Sequence, residues 1–116
     1  MDDYPKFMKD KKNAIAEGSQ SKGIEGYVFD GADGSQMIHW TCKVDGKSDE
    51  HVHDYDEYFI VVEGVYTLII RGEKIPVSAG QEYHIPKKLP HAGEFIAGTR
   101  TIHAFGGARA KRNKKI

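Results

Sequence analysis

Only one cysteine, Cys42, stands among the 116 residues, so no disulfide can form within the chain. No apolar run approaches the ~18 residues that a membrane-crossing helix needs. The opening Met1-Asp2-Asp3-Tyr4-Pro5 is acidic and has no apolar signal core, which leads us to expect a cytoplasmic protein without a membrane partner. Net charge is also lacking: 17 Lys and Arg balance 17 Asp and Glu. The balance is uneven along the chain. From Arg109 onward there are five bases and no acid, which leaves the body acidic. A basic tail can touch nucleic acid or an anionic surface, but such short ends are more often solvated and frayed. The acidic body argues against nucleic acid as the primary partner. Internal repeats and low-complexity segments are absent, as is any helical period after residue 24.

What is present from Ile24 onward reads as all β. Short runs rich in Val, Ile, Tyr, Phe and Thr alternate with Gly and Asp punctuation. The expected strands are 24–30, 36–44, 57–63, 65–71, 74–77, 82–86, 91–97 and 100–106. Glu63-Gly64 and Arg71-Gly72-Glu73-Lys74 read as tight turns. Strands this short and closely spaced suggest a small jelly-roll barrel or sandwich. The chain divides into an N-terminal arm with a linker (1–23), the barrel (24–108) and the basic tail (109–116). In the arm, Pro5, Phe7, Met8, Ala14 and Ile15 suggest a short helix or turn, packed on the domain or on a second subunit. The stretch 18–23 is a linker by composition. The run Tyr58-Phe59-Ile60-Val61-Val62 is apolar on both faces and asks for cover on its outer side. A homodimer would supply that cover, or else the N-terminal arm.

The chemistry concentrates between Gly46 and Gly64. His51 and His53 lie two apart, so on an extended segment both imidazoles share one face. Glu57 follows and opens an apolar run. Further on, His91 comes just after Pro86 and Pro90. Neutral imidazoles and a carboxylate are ligands that Mn, Fe, Ni and Zn accept together. A lone His-x-His is a weak signal. Three histidines and a glutamate on facing strands would make a four-ligand cation site. The acids Asp45, Asp49, Glu50, Asp54 and Asp56 surround it, either as a cation-attracting cluster or simply as loop.

Together these residues resemble the two motifs of the cupin superfamily. Gly46, His51, His53, Glu57 and Gly64 match the first, with four residues instead of five between Gly46 and His51. Gly80, Pro86 and His91 match the second. Lys88 stands where that motif has an inner glycine, and Phe95 where it has asparagine, which suggests a more apolar cavity wall. The resemblance covers roughly residues 24–106. It implies a double-stranded β-helix with His51, His53, Glu57 and His91 as ligands of one divalent transition-metal ion. It also implies either a metal-dependent isomerase, lyase or dioxygenase acting on a small organic molecule, or a non-catalytic module that binds or senses such a molecule.

The remaining candidates are weaker. His103 could line the cavity or be a satisfied core histidine. His39 shares the Lys43 face and is expected outside, whereas Trp40, Cys42 and Val44 point the other way. The facing of His84 is open. Cys42 reads as a small buried hydrophobe. Of Tyr55, Tyr58, Tyr66 and Tyr83, most should be packing residues, and one phenol inside the barrel could serve as acid or base.

Overall fold

The structure, a computed structural model, describes residues 2–16 and 23–112. The linker expected over 18–23 therefore lies outside the described residues except for Gly23, as does the tail from 113 onward. Nine strands follow one another: β1 (Ile24–Asp30), β2 (Gln36–Cys42), β3 (Gly46–Lys47), β4 (Glu57–Glu63), β5 (Val65–Ile70), β6 (Glu73–Ser78), β7 (Glu82–Ile85), β8 (Ala92–Phe95) and β9 (Arg100–Phe105). They make two antiparallel sheets, ordered β1-β2-β9-β4-β7 and β3-β8-β5-β6. Strands distant in sequence become neighbours, as when β9 inserts between β2 and β4. This is the all-β jelly-roll barrel that the sequence implied.

Side-chain alternation decides what faces inward. On β4, Glu57, Phe59 and Val61 are buried while Tyr58 is exposed. On β9, Thr101, His103 and Phe105 are buried with half-buried residues between them. Two apolar clusters fill the interior. One joins Val28, Ile38, Trp40 and Phe105 with Ile15 of the arm. The other joins Phe59, Val61, Leu68, Val77 and Ile85. The β5–β6 hairpin closes through Arg71 and Gly72 at φ 53° and 77°. Two successive left-handed residues match the twist of a two-residue hairpin turn.

Two facings differ from expectation. Strand β2 ends at Cys42, so Val44 does not continue its inward face and is 47% exposed. His39 does point away from Trp40, yet it is only 3% exposed. The reason is the arm, which forms two single 3-10 turns (Lys6–Met8 and Lys11–Asn13) lying over the sheet. Tyr4 donates its hydroxyl to the Thr101 carbonyl at 2.8 Å, and the His39 ring donates from Nε2 to the Met8 carbonyl at 2.6 Å. No helix among the described residues is long and apolar enough to cross a membrane.

Candidate metal centre

The centre begins in the irregular connection between β3 and β4. His51 and His53 lie between the expected strands 36–44 and 57–63. They sit on an extended segment tied by one isolated bridge, His51 to His91. Each of these two residues donates its backbone N–H to the other's carbonyl at 2.9 Å. That pairing brings two distant histidines side by side. Val52, between His51 and His53, is turned outward and 55% exposed, so the two flanking imidazoles share the inner face. Glu57 reaches the same place because it shares the inward face of β4 with Phe59.

The ligand atoms of His51, His53 and His91 all lie within 4.8 Å of one another. Glu57 Oε1 lies 3.5 Å from His53 Nε2 and 3.4 Å from His91 Nε2. All four residues proposed from the sequence thus come together. Two of the rings are oriented by the backbone. His51 Nδ1 donates to the Asp49 carbonyl and His91 Nδ1 to the Leu89 carbonyl, each at 2.8 Å. Both Nε2 atoms are left facing inward, the arrangement that metal-binding histidines use. Among the described residues His53 makes no such bond; it is stacked on Tyr55, with ring centroids 4.9 Å apart. Among the described residues, His53 Nε2, Glu57 Oε1 and His91 Nε2 are buried without a hydrogen-bond partner. Orphaned polar atoms are costly, and three converging ones fit a bound cation.

The electrostatics suit the same purpose. Burial pushes the His53 imidazole down to about 4 and lowers that of His51. Both rings are then neutral near pH 7, with lone pairs available. Burial alone would raise the Glu57 carboxyl, but the hydrogen bond from His103 and the His91 ring beside it outweigh this and hold it below the usual carboxylate range. His91 is raised: burial opposes its charge, yet the Glu57 carboxylate beside it prevails.

The centre opens into a cavity of about 70 Å³, whose wall includes Trp40, Tyr66, Phe95, His103, Phe105 and Arg109. His103 is both of the things that the sequence left open, a cavity residue and a satisfied one. Its Nδ1 donates to Glu57 Oε2 at 2.7 Å, and the Thr101 hydroxyl lies 3.0 Å from its Nε2. Tyr66 is the phenol inside the barrel; desolvation pushes its hydroxyl well above the ordinary value, so it stays protonated. Tyr55 stacks on His53, Tyr58 lies outside, and Tyr83 packs on the second core cluster. Cys42 is buried at the cavity wall, its thiol pushed up to about 11 by burial. His84 is exposed and paired with Asp56 at 3.1 Å. Phe95 does supply an apolar wall. Lys88, in the place of the motif's glycine, holds the left-handed backbone that a glycine would, at φ 66°. Of the basic tail expected to be solvated, only 109–112 are described, and these are packed: Arg109 lines the cavity, and Arg112 is fastened to Asn13 and Asp30.

Comparison with known proteins agrees with this fold. The cupin domain family matches residues 38–104, and the chain belongs to that family. Among solved structures, an RmlC-like cupin from Shewanella frigidimarina is 18% identical, with a TM-score of 0.71 over 85% of this chain and 86% of that one. KdgF from Halomonas sp. is 17% identical, with a TM-score of 0.66 over 87% and 94%. The polyketide cyclase RemF from Streptomyces resistomycificus is 21% identical, with a TM-score of 0.67 over 84% and 73%. At such identities the likeness is one of fold. None of the curated proteins compared matches the chain.

Proposed function

We propose that His51, His53, Glu57 and His91 hold one divalent transition-metal ion (Mn, Fe, Ni or Zn), and that the protein is a metal-dependent enzyme acting on a small organic molecule as an isomerase, lyase or dioxygenase. The observation that carries this reading is the convergence of three imidazoles within 4.8 Å beside an unpartnered carboxylate oxygen. Such an ion would supply Lewis-acid or, for Fe, redox chemistry at the positions its protein ligands leave open. The protein's own part is to orient two of the histidines through backbone carbonyls and to keep Glu57 ionised through His103. Tyr66 presents a protonated hydroxyl to the cavity, a donor for an oxygen of the bound molecule. The aromatic wall shields part of that molecule from water. RemF, a polyketide cyclase on a similar fold, supports a catalytic reading of this cavity, although one fold hosts many chemistries.

We further propose that the protein is a cytoplasmic homodimer. On the outer face of the larger sheet, Met37, Ala104 and Tyr58 align across β2, β9 and β4, with Ile102 and Ile60 in the next row. Met37 is 52% exposed and Tyr58 38%. A second copy would cover this stripe, and a clean monomer in sedimentation would remove the idea.

The test of the centre is elemental analysis of the purified protein beside His51→Ala. We expect about one transition-metal ion per chain in the parent protein and a large loss in the variant. Equal metal content in both would refute the ligand set.

A further inference from the structure

We propose that Tyr55 is the positioning residue of His53, its ring standing in for the hydrogen bond that orients a metal-binding imidazole, and that Gly107 leaves that ring its room. The proposal rests on the reading of His53 as a ligand, while the hold on its ring is argued from contacts that need no metal.

The four ligands are not held alike. His51 and His91 are oriented through Nδ1 by the Asp49 and Leu89 carbonyls, and Glu57 through Oε2 by His103. Among the described residues no hydrogen bond orients His53, yet its Nε2 is buried and lies 3.5 Å from Glu57 Oε1. The outer torsion of a histidine is broad, so an imidazole without a partner sweeps its nitrogens over a range of directions. Tyr55 removes that freedom. Its ring lies flat against the imidazole, with centroids 4.9 Å apart and an interplanar angle of 10°. An offset stack of this kind fixes the plane of the smaller ring. Phe105 stands edge-on to both, at 81° to His53 and 88° to Tyr55.

Tyr55 can do this because its own backbone is anchored on both sides. Before it, Lys88 donates its N–H to the His53 carbonyl at 2.7 Å. After it, Gly106 donates its N–H to the Asp56 carbonyl at 2.9 Å, and Lys87 donates its N–H to Asp56 Oδ1 at 2.9 Å. The ring is also confined. A Cβ on Gly107 would lie 2.4 Å from Tyr55 Cδ2 and 2.9 Å from both Cε2 and Cγ. These atoms belong to one rigid plane, so a methyl group there would have to shift the whole ring. The φ of Gly107 lies outside the left-handed region, so the demand for glycine is one of space alone.

Packing alone makes a different demand. Tyr55 is half-buried against the core cluster that contains Phe105, and a residue that only filled this place could be any apolar side chain of similar bulk. A residue that orients His53 must be flat. The contact runs through the ring face and leaves the hydroxyl out of it, so phenylalanine should serve as well as tyrosine and leucine should not. Gly107 touches none of the four ligands through a side chain, and its effect on the metal must pass through Tyr55.

The test compares wild type with Tyr55→Phe, Tyr55→Leu and Gly107→Ala. Zinc affinity is measured by chelator competition, and the ring C–H resonances of His51, His53 and His91 are recorded by NMR on the metal-free proteins, at a temperature where melts show each to be folded. In wild type the His53 ring protons should be moved upfield by the face of Tyr55. Tyr55→Phe should keep both that shift and the zinc affinity. Tyr55→Leu should lose the shift and weaken zinc by about 10-fold or more, the usual cost of removing the partner that orients a ligand. Gly107→Ala should displace the His53 signals and weaken zinc by about 3- to 10-fold, the size of one aromatic contact. The His51 and His91 signals should move little in any variant. The proposal is overturned by zinc affinity unchanged in Tyr55→Leu or in Gly107→Ala, by Tyr55→Phe as weak as Tyr55→Leu, by no upfield shift of His53 in wild type, or by equal movement of all three histidines. If wild type takes up no zinc while the His53 signals follow residue 55 as expected, the metal reading fails and the placement of His53 by Tyr55 stands.

Discussion

His103 donates to Oε2 of Glu57 at 2.7 Å, and so Oε1 is the carboxylate oxygen left facing His53 and His91. The bond divides the acid's two oxygens between a structural and a ligating role. Stacking holds the donor in place, since the His103 ring lies 4.9 Å from Phe59 at an interplanar angle of 15°.

Removing that donor should therefore be felt at the metal. In His103→Phe the ring shape is kept but Oε2 loses its partner in a buried site. We expect a stability loss of about 1–3 kcal/mol and zinc affinity lower by about 10- to 100-fold. His103→Asn should recover part of both. Chelator competition measures the affinity, and denaturant melts measure the stability. Zinc affinity unchanged in His103→Phe would separate His103 from the centre.

Metal binding should also stabilise the fold, because the atoms it engages are buried and unpartnered without it. At zinc concentrations about 100 times the dissociation constant, linkage gives roughly 2.7 kcal/mol. We expect the melting temperature of the chelator-stripped protein to rise by several degrees on adding zinc, and His91→Ala to show no such rise. A zinc-induced rise of the same size in both proteins would point to binding elsewhere.

The legible parts of this molecule are those that depend on local order. His51, His53 and Glu57 lie within seven residues, and alternation alone puts the two histidines on one side. Strands β1 and β4 carry strong apolar runs, and their expected bounds match the observed ones. What was not legible depends on contacts across the chain. The burial of His39 comes from the arm, 31 residues upstream at Met8. The place of Arg109 comes from Gln36, 73 residues away. A run of basic residues after the last strand carries no sign that a buried amide will hold one of them over the cavity. Strand β3, only two residues long, exists through its pairing with β8 and has no signal of its own.

Backbone conformation gives a contrast between two motif positions. Gly64 has φ 80°, and a Cβ there would lie 2.8 Å from the Thr99 Cα, a backbone atom that cannot yield cheaply. Gly64→Ala combines left-handed strain with a clash and should cost on the order of 2 kcal/mol or more. Lys88, also left-handed at φ 66°, already bears a side chain. Lys88→Gly should change stability by less than about 1 kcal/mol, because relief of strain is offset by a looser unfolded chain. The backbone bond from Lys88 N–H to the His53 carbonyl, 2.7 Å, should survive it. Urea melts of the two variants check the contrast; equal losses would contradict it.

The arm should make stability depend on pH through His39. Burial lowers the pKa of this imidazole, and the Met8 carbonyl only partly compensates. Glu25 and Asp3 favour its charge, Lys9 opposes it, and the rings of Tyr4 and Tyr27 pack against it. The direction follows from linkage. Above its ordinary value near 6.5, His39 is neutral in both folded and unfolded chains. Below that value the unfolded chain takes up the proton first, so folding is progressively disfavoured as pH falls toward the folded pKa. One group contributes at most about 1.4 kcal/mol per pH unit. His51 and His53 are also lowered and slope the same way, so the comparison must be with His39→Gln, which keeps a donor for Met8 but cannot titrate. Between pH 7.5 and 5.5 the parent protein should lose more stability than this variant, and amide protection relative to the intrinsic exchange rate at each pH should fall in residues 6–8 of the parent alone. Parallel stability curves would mean that the arm does not hold His39 neutral.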